Sequence, residues 1–202
     1  MAEQKNLYFI ALLPPADITR HVDHIKNEIA RNYNCKDALK PPTHITMEAP
    51  FFASQNMEHF MRQKLRSFAN TQFPFRIQFS GYGAFPDHTI FIDVKESKPL
   101  KKLHRDLSRY LTMELNFNRN TQRSSQFKPH MTVAYRDLKQ KFHQVWKDYK
   151  NRTFEANFLV ESLFLLKHNY SHWEILEELR FDRSGFTMNL FEHSYGEKVL
   201  AY

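Results

Sequence analysis

Lys40-Pro41-Pro42-Thr43-His44-Ile45-Thr46-Met47-Glu48-Ala49-Pro50-Phe51-Phe52 sets a histidine two positions before a threonine on an extended apolar run. Phe127-Lys128-Pro129-His130-Met131-Thr132-Val133-Ala134-Tyr135-Arg136-Asp137 writes the same arrangement in the second half of the chain. A proline stands one or two positions before each histidine, and proline biases its neighbourhood toward extended backbone. In a strand, residues i and i+2 share a face. His44 and Thr46 therefore share one face, as do His130 and Thr132, while Ile45 and Met131 turn the other way, toward a core. Each motif offers an imidazole beside a hydroxyl.

The segments around the two motifs also repeat. Leu7 to Leu13 is a continuous apolar run that reads as a buried strand, ended by Pro14 and Pro15. A helix opens near Asp17 with Ile18, Val22, Ile25 and Ile29 at helical spacing, and a polar loop leads to the first motif strand. Met57, Phe60, Met61, Leu65 and Phe68 mark a second helix, and Phe75 to Phe79 alternates as a half-buried strand. The order then restarts. A strand over Thr89 to Val94 precedes a helix carrying Leu100, Leu103, Leu107 and Leu111, and a loop to Gln126 leads to the second motif strand. A weaker helix from about Asp137 to Tyr149 and strands near 154–166 and 172–179 follow. The expected fold is α+β and bilobed: two duplicated β-α-β-α-β lobes with mostly antiparallel sheets facing a central cleft. The whole chain, 1–202, reads as one such domain, with the switch between lobes near 81–87 and a tail, 182–202, that Phe186, Leu190 and Phe191 would pack on the body.

The composition agrees with a folded body. Apolar residues make up 42% and charged residues 25% of 202, and only four glycines stand against nineteen phenylalanines, which argues against disorder. The net charge of +7 favours anionic partners such as RNA, nucleotides or phosphate esters. A single cysteine, Cys35, excludes an internal disulfide and a cysteine-rich zinc site, and points to a reducing, cytoplasmic compartment. The apolar run near the start is too short to span a membrane. A monomer without a membrane partner is the expected state.

Two histidines on facing strands suit in-line displacement at phosphorus. One imidazole takes a proton from the attacking oxygen while the other gives a proton to the departing one, and a pKa near 6.5 lets histidine do either at neutral pH. The hydroxyls would hold the non-bridging oxygens and stabilise transition-state charge. One His-x-Thr is a weak signal; two copies, each after proline and at matching places in a repeated pattern, are far more specific.

These motifs, with the opening strand Phe9-Ile10-Ala11-Leu12-Leu13-Pro14-Pro15, resemble the two-histidine (2H) phosphoesterases, in the branch of bacterial 2′-5′ RNA ligase-like cyclic phosphodiesterases. The resemblance implies a cleft between two lobes and metal-independent hydrolysis of 2′,3′-cyclic phosphates, on RNA ends or small cyclic nucleotides, to a 2′-phosphate. It implies His44 and His130 as the catalytic pair, Thr46 and Thr132 as phosphate binders, and no metal or other cofactor. For some members it implies the reverse, formation of 2′-5′ links. Which histidine is acid and which base stays open. Tyr135 and Phe52, which follow the motifs, are candidates for stacking on a base, and Lys128 and Arg136 for approaching a phosphate. His168 and His172 read as flanking a plain hairpin turn. The alternative is a non-catalytic protein of the same fold that binds a nucleotide or an RNA end.

Overall fold

Strand β1 (Lys5–Leu12) is buried continuously from Tyr8 to Leu12, as an apolar run on an inner strand must be. The computed structural model describes residues 5–117 and 127–182. Helix α1 (Ala16–Tyr33) starts directly after Pro15 and buries Ile18, Val22, Ile25 and Ile29; Asn34 ends it in the left-handed conformation, φ 53°. A 3₁₀ turn (Asp37–Leu39) leads to β2 (Ile45–Ser54), which runs directly into α2 (Gln55–Ala69). Next come β3 (Phe75–Phe85) and β4 (Thr89–Val94). Helix α3 (Lys98–Leu115) is capped by Ser97, whose Oγ accepts from the Leu100 N–H, with Pro99 in the first turn. Then follow β5 (His130–Tyr135), a 3₁₀ turn (Lys139–Lys141), α4 (Phe142–Tyr149), β6 (Glu155–Val160), β7 (Ser162–Asn169) and β8 (His172–Arg180).

The strands form two antiparallel four-stranded sheets, ordered β2-β1-β7-β8 and β5-β4-β3-β6. The fold is the expected mixture of helices and antiparallel sheets, and the repeat is visible in it. β1-α1-β2 and β4-α3-β5 are matching units, each an antiparallel strand pair joined by a helix. The halves are not separate in sequence, however. Residues 81–87, expected to join the two lobes, are the end of β3 and the turn into β4, inside one sheet. The chain changes sheet instead between α2 and β3, and again at Glu161 between β6 and β7. The physical reason is that β1 and β4 are buried inner strands and need hydrogen-bond partners on both sides. Strands β7 and β3, respectively, supply the second partner.

One contiguous apolar cluster joins the helical stripes to Tyr8, Ile10 and Leu12 of β1, Ile77 and Phe79 of β3, and Ile90 and Ile92 of β4. Phe9, Ala11 and Leu166 form a small second cluster on the opposite face of the first sheet. Two helical expectations change in detail. In α2 the buried stripe is Met61, Leu65 and Phe68, while Met57 and Phe60 at its first turns are exposed. The helix expected from Asp137 begins at Phe142, because Asp137 is engaged elsewhere (below). Phe186, Leu190 and Phe191 lie outside the described residues.

Candidate active site

The motif strands β2 and β5 are edge strands of their respective sheets, and they touch each other. Edge strands are free to meet in this way because one side of each carries no sheet partner. The approach is locked from outside. Asp137, just past β5, accepts backbone N–H bonds from Lys36 (2.5 Å) and Asp37 (3.0 Å), at the start of the 3₁₀ turn that leads to β2. The Cys35 thiol, buried, lies 3.6 Å from the Asp137 carbonyl.

On β2, Ile45 and Met47 are buried and Thr46 is half-buried, as is His44 immediately before the strand; on β5, Met131 and Val133 are buried and His130 and Thr132 half-buried. The period-2 expectation therefore holds on both strands. The two rings are held alike. His44 Nδ1 lies 2.7 Å from the Pro42 carbonyl and His130 Nδ1 lies 2.8 Å from the Lys128 carbonyl, two residues back in each case. A carbonyl oxygen only accepts, so Nδ1 must carry the proton in both rings, which leaves each Nε2 as the basic nitrogen. Each ring also packs on a phenylalanine of the neighbouring inner strand: His44 on Phe9 at 4.9 Å, His130 on Phe91 at 5.0 Å.

A cavity of about 390 Å³ is lined by His44, just before β2, Thr46 of β2, Thr132 and Tyr135 of β5, and Arg136. His130 itself does not line it; its ring sits against Phe85 and Phe91. It is nonetheless near enough for its charge to act on His44. Burial pushes His44 down from the ordinary histidine value to about 4, with the Lys26 and His130 charges acting the same way and the Pro42 bond opposing them. Burial likewise lowers His130, with Lys128 adding to the effect. Lys26, Lys40 and Arg136 line the cavity, and among the described residues lining it there is no aspartate or glutamate. Such a wall attracts an anion.

The other candidates divide. Tyr135 and Arg136 reach the cavity, with the guanidinium 5.2 Å from the tyrosine ring centroid. Lys128 does not line it; its Nζ lies 5.1 Å from the Phe91 ring centroid. Phe52 is 67% exposed and edges a separate depression with Met57 and Phe117. It does not line the cavity, although Pro50 and Leu7, its cross-strand partner, do.

Other lining residues had no local signal. Lys26 and Lys40 reach the wall, and His168, Ser171, His172 and Trp173 bring the β7–β8 hairpin to it. Trp173 packs edge-on against Phe9 at 4.5 Å and touches His168 at 5.0 Å. The hairpin expected to be a plain turn is thus a wall of the cavity, because β7 pairs with β1. Among the described residues no three histidine, cysteine, aspartate or glutamate side chains come together to hold a metal ion. The phenylalanines under the two rings did leave a trace, the repeated Phe-Ile of Phe9-Ile10 and Phe91-Ile92.

Comparison with known families decides the kinship: residues 14–171 match the model of the 2′-5′ RNA ligase superfamily. The chain belongs to that superfamily. Its 2H phosphoesterase kinship extends to a provisionally assigned phosphoesterase of Bacillus cytotoxicus, 31% identical over 111 residues. That match covers 54% of this chain and 59% of the relative. A similar protein of Geobacillus kaustophilus is 28% identical over 102 residues, half of this chain and 56% of its own length. The chain thus spans under two thirds of each of these relatives. Among solved structures, Escherichia coli LigT bound to 3′-AMP superposes with a TM-score of 0.68 at 15% identity, covering 89% of this chain and all of LigT. TT0787 of Thermus thermophilus gives 0.63 at 18% identity, covering 88% and 99%. At these identities the superfamily member shares the fold of both. No helix among its described residues is long and apolar enough to cross a membrane.

Proposed function

We propose that this superfamily member opens 2′,3′-cyclic phosphates, at RNA ends or on small nucleotides, to the 2′-phosphate. His44 and His130 are the acid/base pair and Thr46 and Thr132 the binders of the non-bridging oxygens. Water attacks phosphorus as the P–O3′ bond breaks; one Nε2 takes the water proton and the other ring gives a proton to O3′. With a 5′-hydroxyl in place of water, the same exchange makes a 2′-5′ link. No step calls for a metal ion. The reading is carried by one observation: two imidazoles held by identical Nδ1 bonds, on edge strands that meet. The nucleotide complexes of LigT, with 3′-AMP, ATP and NADP⁺, support a nucleotide as occupant. The observation that favours a binding protein without chemistry is the seat of His130 beside, rather than in, the cavity wall.

A panel of 2′,3′-cyclic nucleotides with excess chelator, read by phosphorus NMR, separates these readings. The account expects 2′-monoesters. A 3′-monoester contradicts the proposed bond cleavage, and binding without turnover selects the non-catalytic alternative.

The pH dependence follows from the lowered rings. The active free enzyme has one ring protonated and one neutral. Both rings sit below the usual value of about 6.5, so at neutral pH the free enzyme is mostly doubly neutral. We expect kcat/KM to be greatest on the acid side of about 6.5 and to fall as pH rises toward 8. The bound anion raises both rings, so kcat should peak at higher pH than kcat/KM. A kcat/KM that climbs between pH 6 and 8 contradicts this. The two limbs belong to the pair rather than to either histidine.

A further inference from the structure

Lys26 is 3% exposed, an uncommon position for an ammonium group. Its Nζ donates to Thr43 Oγ1 at 2.7 Å, and Thr43 Oγ1 donates to Asp23 Oδ1 at 2.6 Å. Asp23 Oδ1 lies 3.4 Å from Nζ, and its side chain is about half exposed, so the ammonium has only a partial counter-charge. Removing an ammonium from water is costly, and an apolar side chain would fill such a place at lower cost. A purely structural role therefore does not explain the residue.

The clamp closes on one particular residue. Thr43, itself 3% exposed, stands between Pro42, whose carbonyl takes the ring bond, and His44, which makes it. In the second motif the matching position is Pro129, whose ring fixes φ covalently. The first motif has no proline there; it has a threonine gripped by two side chains of α1.

We propose that Lys26 is a positioning residue for His44, acting through Thr43 to hold the Pro42–His44 turn as Pro129 holds its counterpart. The role rests on the proposed function of His44. The charge of Lys26 adds a signature that a packing role lacks, because a nearby cation opposes protonation of the ring. The groups acting on His44 are Lys26 from α1 and His130 from β5; Lys40, Arg136, His168 and His172 share its cavity, and Asp23 faces Lys26.

The test uses the full chain with Lys26→Met, Thr43→Val and Thr43→Ser. Nitrogen NMR of the imidazoles follows the His44 tautomer and titration without substrate, and kinetics follow kcat and KM separately. Lys26→Met and Thr43→Val should each lower kcat by about ten- to a hundredfold, the scale of a misplaced catalytic group; KM should be unchanged in Thr43→Val and should also rise in Lys26→Met, which takes one cation from the cavity wall. Thr43→Ser, which keeps the hydroxyl, should retain kcat. Lys26→Met should raise the His44 titration midpoint, and Thr43→Val, which keeps the charge, should instead disturb the Nδ1–H signal. Should Lys26→Met not fold, the Val and Ser variants at Thr43 carry the positioning test. An unchanged His44 signal in Lys26→Met and Thr43→Val overturns the proposal; so does a rise in KM alone, which would make Lys26 a contact to substrate. The NMR arm stands even where no cyclic phosphate is turned over, so failure of the positioning role and failure of the phosphodiesterase reading are told apart.

Discussion

His44→Ala and His130→Ala should each lower turnover of a 2′,3′-cyclic nucleotide by at least about a hundredfold, the lower end for losing a general acid or base. Both proton transfers belong to one displacement, so removing either partner stalls the same transition state. The double variant should cost little more than either single one, as groups that act as a unit do. Both rings are half-buried at strand starts, outside the main apolar cluster. Truncation therefore removes ring contacts with Phe9, or with Phe85 and Phe91, without opening the core, and melting temperature should confirm that each variant is folded. Steady-state rates at matched stability are the check. Normal turnover by either folded variant contradicts the assignment. His130 is the sharper test of the two, because its ring does not line the cavity.

The second large effect is expected at the threonines. Thr46→Val and Thr132→Val keep the shape and remove the hydroxyl from the cavity wall, where both residues lie. A hydrogen bond to a charged oxygen contributes about 1.5–3 kcal/mol, so each substitution should lower kcat/KM about ten- to a hundredfold. Serine at either position keeps the donor and should recover most of the rate. The two hydroxyls come from different sheets, so they should hold different oxygens and their losses should be nearly additive, unlike those of the histidines. Full kcat/KM in both valine variants contradicts a phosphate-binding role.

What the sequence revealed and what it hid have separate physical causes. The faces of β2 and β5 were legible because the strand period is two and Ile45, Met47, Met131 and Val133 mark the core side. The stripes of α1 and α3 were legible for the corresponding reason at helical spacing. Pairing between distant strands leaves no such mark. That β7 joins β1, and β6 joins β3, depends on which inner strands need a second partner, and the switch read near 81–87 proved to lie within the β3–β4 hairpin. The same pairing carries His168 and Trp173 to the cavity, which no reading of the β7–β8 turn alone would find. Nearness in sequence to the first motif does not by itself bring Phe52 to the cavity wall, and its ring edges a separate depression instead. Lys26 was hidden among the polar residues of α1, because nothing local tells a buried lysine from a solvated one.

A crystal structure with a 2′-nucleotide bound tests the central claim most directly. The account predicts the phosphate between β2 and β5, with the Nε2 atoms of His44 and His130 both within hydrogen-bonding reach of its oxygens and a threonine hydroxyl beside each. A phosphate that meets only one imidazole, or settles elsewhere on the chain, would contradict it.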